Sequence, residues 1–286
     1  SFVLSKFLVL HASPITLTSL RWLIAVICLL FIVWWKEKKI LPKKKSLLPL
    51  FLMGLTGVTL FQALQFLAFE YTTATNVGLL STLNMFSIAI FSYLFFKDKI
   101  NLFQFLSMLF SLIGVLLVLS KGNLSIIFSL DFNIGDIYML VAVAIWGLYS
   151  ICSKWAMKTE SPIMATLYSG IFGILVLLPF NLHDFTIKNI NAFFTVSILY
   201  IGIVATVLGF MLWNIGIQHI GANTSGLFLN FNPIFTATLS FIFLGEKMNW
   251  MQGIGIIIVI AGCYLFTRLR TKVEEKVEQE MVRQEV

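Results

Sequence analysis

Long apolar runs separated by short polar connections dominate the chain. One short run covers residues 2–10, and nine long runs cover 15–35, 47–69, 74–96, 102–119, 135–157, 162–181, 192–217, 222–244 and 250–268. A helix needs about 20 apolar residues to cross the hydrocarbon core of a bilayer. Short connections also force neighbouring helices to run antiparallel. The pattern therefore predicts an all-α integral membrane protein with ten transmembrane helices.

Composition and charge agree with this prediction. The chain of 286 residues is 59% apolar and 12% charged, whereas soluble domains are about 45–50% apolar and about 25% charged. This excludes a soluble, disordered or disulfide-stapled protein. The net charge of +7 comes largely from connections, with six lysines between residues 36 and 45. The positive-inside rule then predicts that this connection and both termini are cytoplasmic, and we expect no nucleic-acid partner. Cys28, Cys152 and Cys263 lie in apolar runs without metal-type spacing, and we expect neither a metal nor a cofactor.

The chain also matches itself, without gaps, at a constant offset of 148 residues. Ser13-Pro14 falls on Ser161-Pro162, Asn84 on Asn232, and Gln104 on Gln252. Each repeat holds five spans, and an odd number inverts the second repeat relative to the first. Inverted repeats are typical of secondary transporters whose substrate site lies near the bilayer midplane.

The repeat also sets the predicted domain organisation. We expect a first five-helix unit over 1–120, an extracytoplasmic linker over 121–134, a second unit over 135–268, and a cytoplasmic charged tail over 269–286. The second unit extends about 14 residues further upstream than the first when the two are superposed. We therefore expect about 14 further residues to complete the first helix in the native protein.

These motifs resemble those of the EamA family of the drug/metabolite transporter superfamily, over nearly the whole chain. In the first unit the resemblance rests on FVLSK at 2–6, Ser13-Pro14 with Arg21, Ala63-Leu64-Gln65, TATNVG at 73–78 and FFKD at 95–98. In the second unit it rests on Trp146-Gly147, Lys154, Ser161-Pro162, GANTSG at 221–226, Asn232-Pro233 and FLGE at 243–246. The repeats differ where Ser169 matches Arg21 and where Met85 matches Pro233. The resemblance implies an exporter or permease for amino acids or other small metabolites.

Polar residues inside a bilayer are costly and mark candidate sites. No Asp or Glu lies at the centre of a predicted span, which argues against a buried carboxylate proton relay. Lys6 and Arg21 lie within the outer halves of their spans, Arg21 roughly 9 Å below the interface. They could attract an anionic substrate group, although snorkelling along the helix or a structural hydrogen bond to carbonyls is the favoured alternative.

The remaining candidates are amides and aromatic residues near midspan. Asn84 and Asn232 are related by the repeat, and Pro233 should free the carbonyl of Leu229 beside Asn230 and Asn232. The alternative is a proline kink that the Asn side chains stabilise. Gln62 and Gln65 share one helix face, where helix–helix hydrogen bonding is the alternative to substrate contact. Cavity walls are expected from three aromatic residues: Trp146, Tyr149 and Tyr168.

Together these features predict a secondary transporter, not an enzyme, that exports small metabolites such as amino acids across the cell membrane. It would work by alternating access, as a monomer or homodimer, through a central cavity between the repeats. A channel or a lipid scramblase is the alternative. A membrane-embedded enzyme fits less well, because no Ser–His–Asp set, HExxH motif or pair of intramembrane aspartates is present.

Overall fold

The computed structural model describes residues 2–38, 40–123, 132–244 and 249–284. Helices make up nearly all of this part of the chain. In the first half they are α1 (Phe2–Leu8), α2 (Pro14–Lys36), α3 (Leu47–Met53), α4 (Phe61–Tyr71), α5 (Ala74–Ser81), α6 (Asn84–Phe96) and α7 (Leu102–Ser120). In the second half they are α8 (Ile134–Ala156), α9 (Pro162–Asp184), α10 (Ala192–Tyr200), α11 (Gly209–Ile220), α12 (Ala222–Phe228), α13 (Phe231–Leu244) and α14 (Trp250–Gln284).

The chain is a multi-pass membrane protein. Among the described residues, eight helical stretches are long and apolar enough to cross a bilayer. Three of them join several elements. Numbered by the ten predicted runs, span three (Lys44–Tyr71) contains α3 and α4, span four (Ala74–Phe96) contains α5 and α6, and span eight (Ala192–Ile220) contains α10 and α11. The predicted first span appears as the seven-residue α1, and the predicted run 222–244 as the pair α12 and α13. Ten spans therefore remain a prediction.

Helix starts follow from local sequence chemistry, and they repeat at the 148-residue offset. Ser13 caps α2, which has Pro14 as its first residue, and Ser161 caps α9, which has Pro162 as its first residue. A serine hydroxyl satisfies a free amide of the first turn, and proline there has no amide to satisfy.

Irregular helix segments repeat at the same offset. A π-helix over Gly54–Leu60 joins α3 to α4, and another over Ile201–Leu208 joins α10 to α11. Helix breaks at residues 82–83 and 229–230 separate α5 from α6 and α12 from α13, and these also correspond to within one residue. π-Helical turns are rare and concentrate at functional sites.

The packing divides the chain into two compact units that do not coincide with the sequence halves. The first unit comprises Ser1–Phe95 and Phe132–Ser225, and the second comprises Phe96–Asp131 and Gly226–Val286. Each unit therefore takes helices from both repeats.

Close backbone contacts in the first unit occur in a reciprocal pair. A Cβ atom added at Gly54 would lie 2.7 Å from the carbonyl oxygen of Ser169, and one added at Gly202 would lie 3.2 Å from that of Arg21. Gly202 is the repeat equivalent of Gly54, and Ser169 that of Arg21. Glycine at these sites lets each π-helix approach a neighbouring helix, α9 or α2, closely.

The second unit contains a similar reciprocal pair, where α7 packs along α14. An added Cβ at Gly114 would lie 2.7 Å from the carbonyl oxygen of Gly255, and one at Gly262 would lie 3.0 Å from that of Ser107. Gly262 and Gly255 are the repeat equivalents of Gly114 and Ser107. Small residues on both helices therefore permit the close contact.

Candidate functional site

A buried arginine network lies inside the first compact unit. The Arg21 side chain on α2 donates from Nε to Thr206 Oγ1 at 2.9 Å and from Nη1 to Gln62 Oε1 at 2.5 Å. Arg21 is only 6% exposed, and no carboxylate among the described residues pairs with it. Thr206 can face Arg21 because its hydroxyl donates to the Ile201 carbonyl, five residues back in the π-helix, at 2.8 Å. The network thus joins α2 to spans three and eight.

Aromatic rings pack beside this network. The Trp22 ring lies 4.8 Å from that of Phe210, which in turn lies 5.6 Å from the Trp146 ring. Trp146 also packs against Phe61 at 4.6 Å, between centroids. We call these residues the ring cluster, with two further members: Tyr149, 5.0 Å from Trp146, and Trp213, 5.3 Å from Trp146.

The indole nitrogens of the ring cluster have no hydrogen-bond partner within the described structure. This holds for Nε1 of Trp22, Trp146 and Trp213, each of which is buried. An indole N–H can only donate, and a buried donor left unpaired costs about 1–3 kcal/mol. The cluster therefore offers donors without matching protein acceptors.

Asn214 on α11 forms a second polar centre beside the rings. Its Oδ1 accepts from Tyr149 Oη at 3.1 Å and from Ser153 Oγ at 2.7 Å, while its Nδ2 donates to Thr166 Oγ1 at 2.8 Å. All four residues are fully buried. Asn214 thus joins α8, α9 and α11, and it holds Tyr149 in place against the π-helix at Gly57.

The structure brings together four of the predicted site residues: Arg21, Gln62, Trp146 and Tyr149. Gln65 is half-buried one turn beyond Gln62 on α4. Asn84 belongs to the same compact unit and is buried at the first residue of α6, where its Oδ1 accepts no hydrogen bond from any described residue.

Two predicted residues lie elsewhere in this unit. Lys6 is half-buried, and its ammonium donates to the carbonyls of Phe69 and, at 2.9 Å, Thr72. A cation is stabilised there by the carboxyl end of α4, which favours the structural alternative. Tyr168 donates to the carbonyl of Ile40 at 2.9 Å in the lysine-rich connection, so its hydroxyl lies at a helix end and not beside Trp146.

The last three predicted residues, Asn230, Asn232 and Pro233, belong to the second compact unit. Asn230 is fully buried and donates to Ser111 Oγ at 2.9 Å, whereas Asn232 is exposed and Pro233 is buried. The prediction that Pro233 frees the Leu229 carbonyl is wrong. The backbone N–H of Asn232 donates to that carbonyl at 3.0 Å, because the tight turn at the break replaces the bond that proline cannot make.

Two sets of contacts, each between two interhelical segments, lie at opposite ends of α2 and α9. The first, the backbone latch, joins His11–Ser13 to residues 186–188. Lys188 N donates to His11 O at 2.7 Å and Ser13 N to Thr186 O at 3.3 Å, around an antiparallel bridge between Ala12 and Ile187.

The second set, the side-chain latch, joins Glu37, Lys43 and Ser46 to Thr159, Glu160 and Ser161. Glu160 Oε1 accepts from Ser46 Oγ at 2.5 Å and from the backbone N–H of Lys43 at 2.7 Å. Lys43 Nζ donates to Thr159 O at 3.0 Å, and Ser161 Oγ donates to Glu37. Residues 11–13 of the backbone latch and 159–161 of the side-chain latch are repeat equivalents.

Sequence reasoning missed Thr206, Phe210 and Asn214, and the role of the acids in the side-chain latch. Asn214 lies only three residues from the end of the predicted span 192–217, and a polar residue at a span end is ordinarily at the membrane interface. Its burial comes from α11 continuing to Ile220. Thr206 gave no signal, because its contact with Arg21 depends on the π-helix.

Comparison with known proteins decides the family. A profile of the EamA-like transporter family matches residues 1–120 and 133–268. The chain belongs to the EamA-like transporter family. This confirms the resemblance read from its motifs.

Several relatives within this family are named only as transporters. The chain is 30% identical over 266 residues to the uncharacterized transporter YyaM of Bacillus subtilis (strain 168), covering 92% of this chain and 87% of the relative. It is 32% identical over 270 residues to an uncharacterized transporter of Archaeoglobus fulgidus, covering 93% and 92%. A solved crystal structure with 18% identity matches the fold with a TM-score of 0.69, over 94% of this chain and 95% of that one.

Proposed function

We propose that this EamA-like protein is a secondary transporter that exports small metabolites such as amino acids across the cell membrane, with both termini in the cytoplasm. The observation that carries the proposal is the buried polar and aromatic site of the first unit. It is built from both repeats: Arg21 and Gln62 come from the first, and Thr206, Phe210 and Asn214 from the second. A site where repeats meet is characteristic of transporters that work by alternating access.

The reciprocal contacts support an inverted repeat. When residue x of one copy contacts residue y of the other, and y of the first contacts x of the second, the copies are related by a two-fold axis. Gly54 with Ser169 and Gly202 with Arg21 follow this rule, and the glycine pairs of α7 and α14 follow it separately. The contact between Trp22 and Gly170 joins equivalent positions directly, as expected for residues on such an axis.

The two latches supply the gates that alternating access requires. They lie at opposite ends of α2 and α9, their segments 11–13 and 159–161 are repeat equivalents, and each latch joins a connection of one repeat to a connection of the other. In the proposed cycle each latch opens in turn, so that the buried site faces one side of the membrane at a time. The side-chain latch would face the cytoplasm, because it contains the lysine-rich connection.

The acids of the described spans favour exchange or facilitated export over a buried carboxylate relay. Asp136 is buried, but it is the third residue of α8, and its carboxylate accepts from Thr72 Oγ1 at 2.8 Å and Asn76 Nδ2 at 3.3 Å. It therefore caps a helix instead of facing Arg21. We propose that substrate exchange does not depend on a pH gradient.

Cross-linking tests the gating proposal. Ser46 and Thr159 are suited to a cysteine pair because their hydroxyl oxygens lie 2.9 Å apart. The pair would be introduced after replacing Cys28, Cys152 and Cys263, and counterflow would be measured in proteoliposomes. We expect oxidation to stop exchange and a reductant to restore it, with each single-cysteine variant unaffected. Equal exchange by the cross-linked and reduced forms would contradict the proposal.

A further inference from the structure

Arg21 is a buried cation, and its contacts within the fold do not offset the free-energy cost of burying its charge. A charged side chain inside a bilayer is expensive unless it is paired or wetted. Its two hydrogen bonds go to the neutral groups of Gln62 and Thr206. A guanidinium has five N–H groups, so three of them have no acceptor in the described part of the chain.

Comparison with the equivalent position of the second repeat separates the role of Arg21 in helix packing from the role of its charge. At the equivalent position, Ser169 makes the same close backbone contact with the other π-helix, and its hydroxyl donates only to Thr166 O at 2.8 Å. The partners differ as well, since Phe210 matches Gln62 and Val58 matches Thr206. The first π-helix and α9 therefore pack in this geometry without a cation. The polar network around Arg21 has no counterpart at Ser169.

Trp22 follows Arg21 on α2 and Phe61 precedes Gln62 on α4, so two members of the ring cluster adjoin the arginine network along the chain. The neighbouring Trp22 presents its Cε3 and Cζ3 edge to Gly170, so its unpartnered Nε1 points away from α9. The rings of Phe210, Phe61 and Trp146 continue from Trp22 as an apolar wall. A ligand complementary to this site carries acceptors at one end and an apolar body at the other.

We infer that Arg21 binds the carboxylate of an apolar or aromatic amino acid or organic acid, with the body of the ligand against the ring cluster. This rests on the proposed function and names its substrate class. The planar guanidinium fork matches a carboxylate. A carboxylate would also neutralise the buried charge and so offset the cost of burying it.

Three probes with one ring and different charges test the inference. Phenylalanine has a carboxylate and an ammonium, 3-phenylpropionate has the carboxylate alone, and phenylalaninamide lacks the carboxylate. Binding would be followed in detergent by tryptophan fluorescence, which the ring cluster supplies, and by the rise in melting temperature on adding ligand. We expect the two carboxylates to bind saturably and the amide to bind at least about tenfold more weakly.

The variants then assign the effect to the guanidinium. Arg21→Gln should weaken both carboxylates about tenfold or more and remove the discrimination against the amide, while Arg21→Lys should restore part of it. Ser169→Ala, at the matching repeat position, should bind as the wild type does. For each variant, the melting temperature with a probe is compared with that of the same variant without it. If the role of Arg21 were purely structural, Arg21→Gln would lower the melting temperature without probe but leave the ranking of the three probes unchanged.

The inference would be overturned by amide binding equal to that of phenylalanine, or by wild-type binding of the carboxylates by folded Arg21→Gln. Failure of both carboxylates to bind the folded wild type would overturn it too. Counterflow by the wild type with other metabolites would leave the proposed transport function standing in each case. Lack of counterflow with any metabolite would instead count against the function itself.

Discussion

Gly57 gives a sharp test of the packing around the site. It lies in the first π-helix against Tyr149, and a Cβ atom added there would be 2.2 Å from Tyr149 Cδ2. Tyr149 cannot retreat freely, because it is fully buried and its hydroxyl is held by Asn214 at 3.1 Å. We therefore expect Gly57→Ala to destabilise the protein and to displace the Tyr149 ring.

The magnitude follows from a comparison with Gly209→Ala. A Cβ atom at Gly209 meets nothing within 4 Å, so that variant gains helix propensity alone. Overpacking costs about 1–3 kcal/mol, and a weakened buried hydrogen bond adds about 0.6 kcal/mol in a membrane protein. Because the propensity gain is common to both variants, Gly57→Ala should be about 2–4 kcal/mol less stable than Gly209→Ala. At about 2–4 °C per kcal/mol, the melting temperatures should differ by at least about 4 °C.

A thiol-reactive dye measures this difference directly. Cys28, Cys152 and Cys263 are buried or half-buried free thiols, and they become reactive as the protein unfolds. Equal melting curves for the two alanine variants would refute the placement of Tyr149 against Gly57. A melting temperature of Gly209→Ala below that of the wild type would refute the open space at Gly209.

Three further substitutions probe other parts of the structure. Asn214→Leu removes three buried hydrogen bonds. It should lower the free energy of unfolding by about 2 kcal/mol, which would be measured as a lower melting temperature. An unchanged melting temperature would mean that Asn214 does not hold α8, α9 and α11 together. Lys6→Met should lower the melting temperature but leave the substrate KM unchanged, because its ammonium binds carbonyls at the end of α4; a raised KM would assign Lys6 to the substrate path. Asn232→Leu should leave the melting temperature unchanged, since the side chain is exposed, and reduced counterflow in that variant would place Asn232 on the transport path, as its sequence position predicts.

The spans could be predicted from the sequence because burial in a bilayer is decided by local composition. The predicted run 135–157 and the observed α8 (Ile134–Ala156) differ by one residue at each end. The charged tail is continuous with the last span in α14, which runs to Gln284. No local pattern signals the π-helices, since they depend on contacts such as that between Gly54 and α9.

The helix breaks show that a break can be predicted at the right place for the wrong reason. Pro233 suggested a kink, and a break does precede it at 229–230. The equivalent break at 82–83 occurs where Met85 matches Pro233. Proline is therefore compatible with the break and not its origin.

The candidate site could be predicted only in part. Arg21 and Gln62 stood out because polar residues are rare in apolar runs, but nothing in the sequence paired them. Tyr168 was placed among the cavity walls because its ring and hydroxyl suit a binding site. Its actual bond to Ile40 depends on how α9 is rotated and on the path of the lysine-rich connection. Side-chain direction around a helix is fixed by tertiary packing, which residue type alone does not report.

Counterflow tests the central claim most directly. Proteoliposomes loaded with unlabelled amino acids would be supplied with each labelled amino acid, with and without a pH gradient. A carrier with the buried site described above predicts saturable accumulation of label that is independent of the gradient and absent from protein-free vesicles. Non-saturable flux that ignores the internal pool would contradict alternating access and indicate a channel.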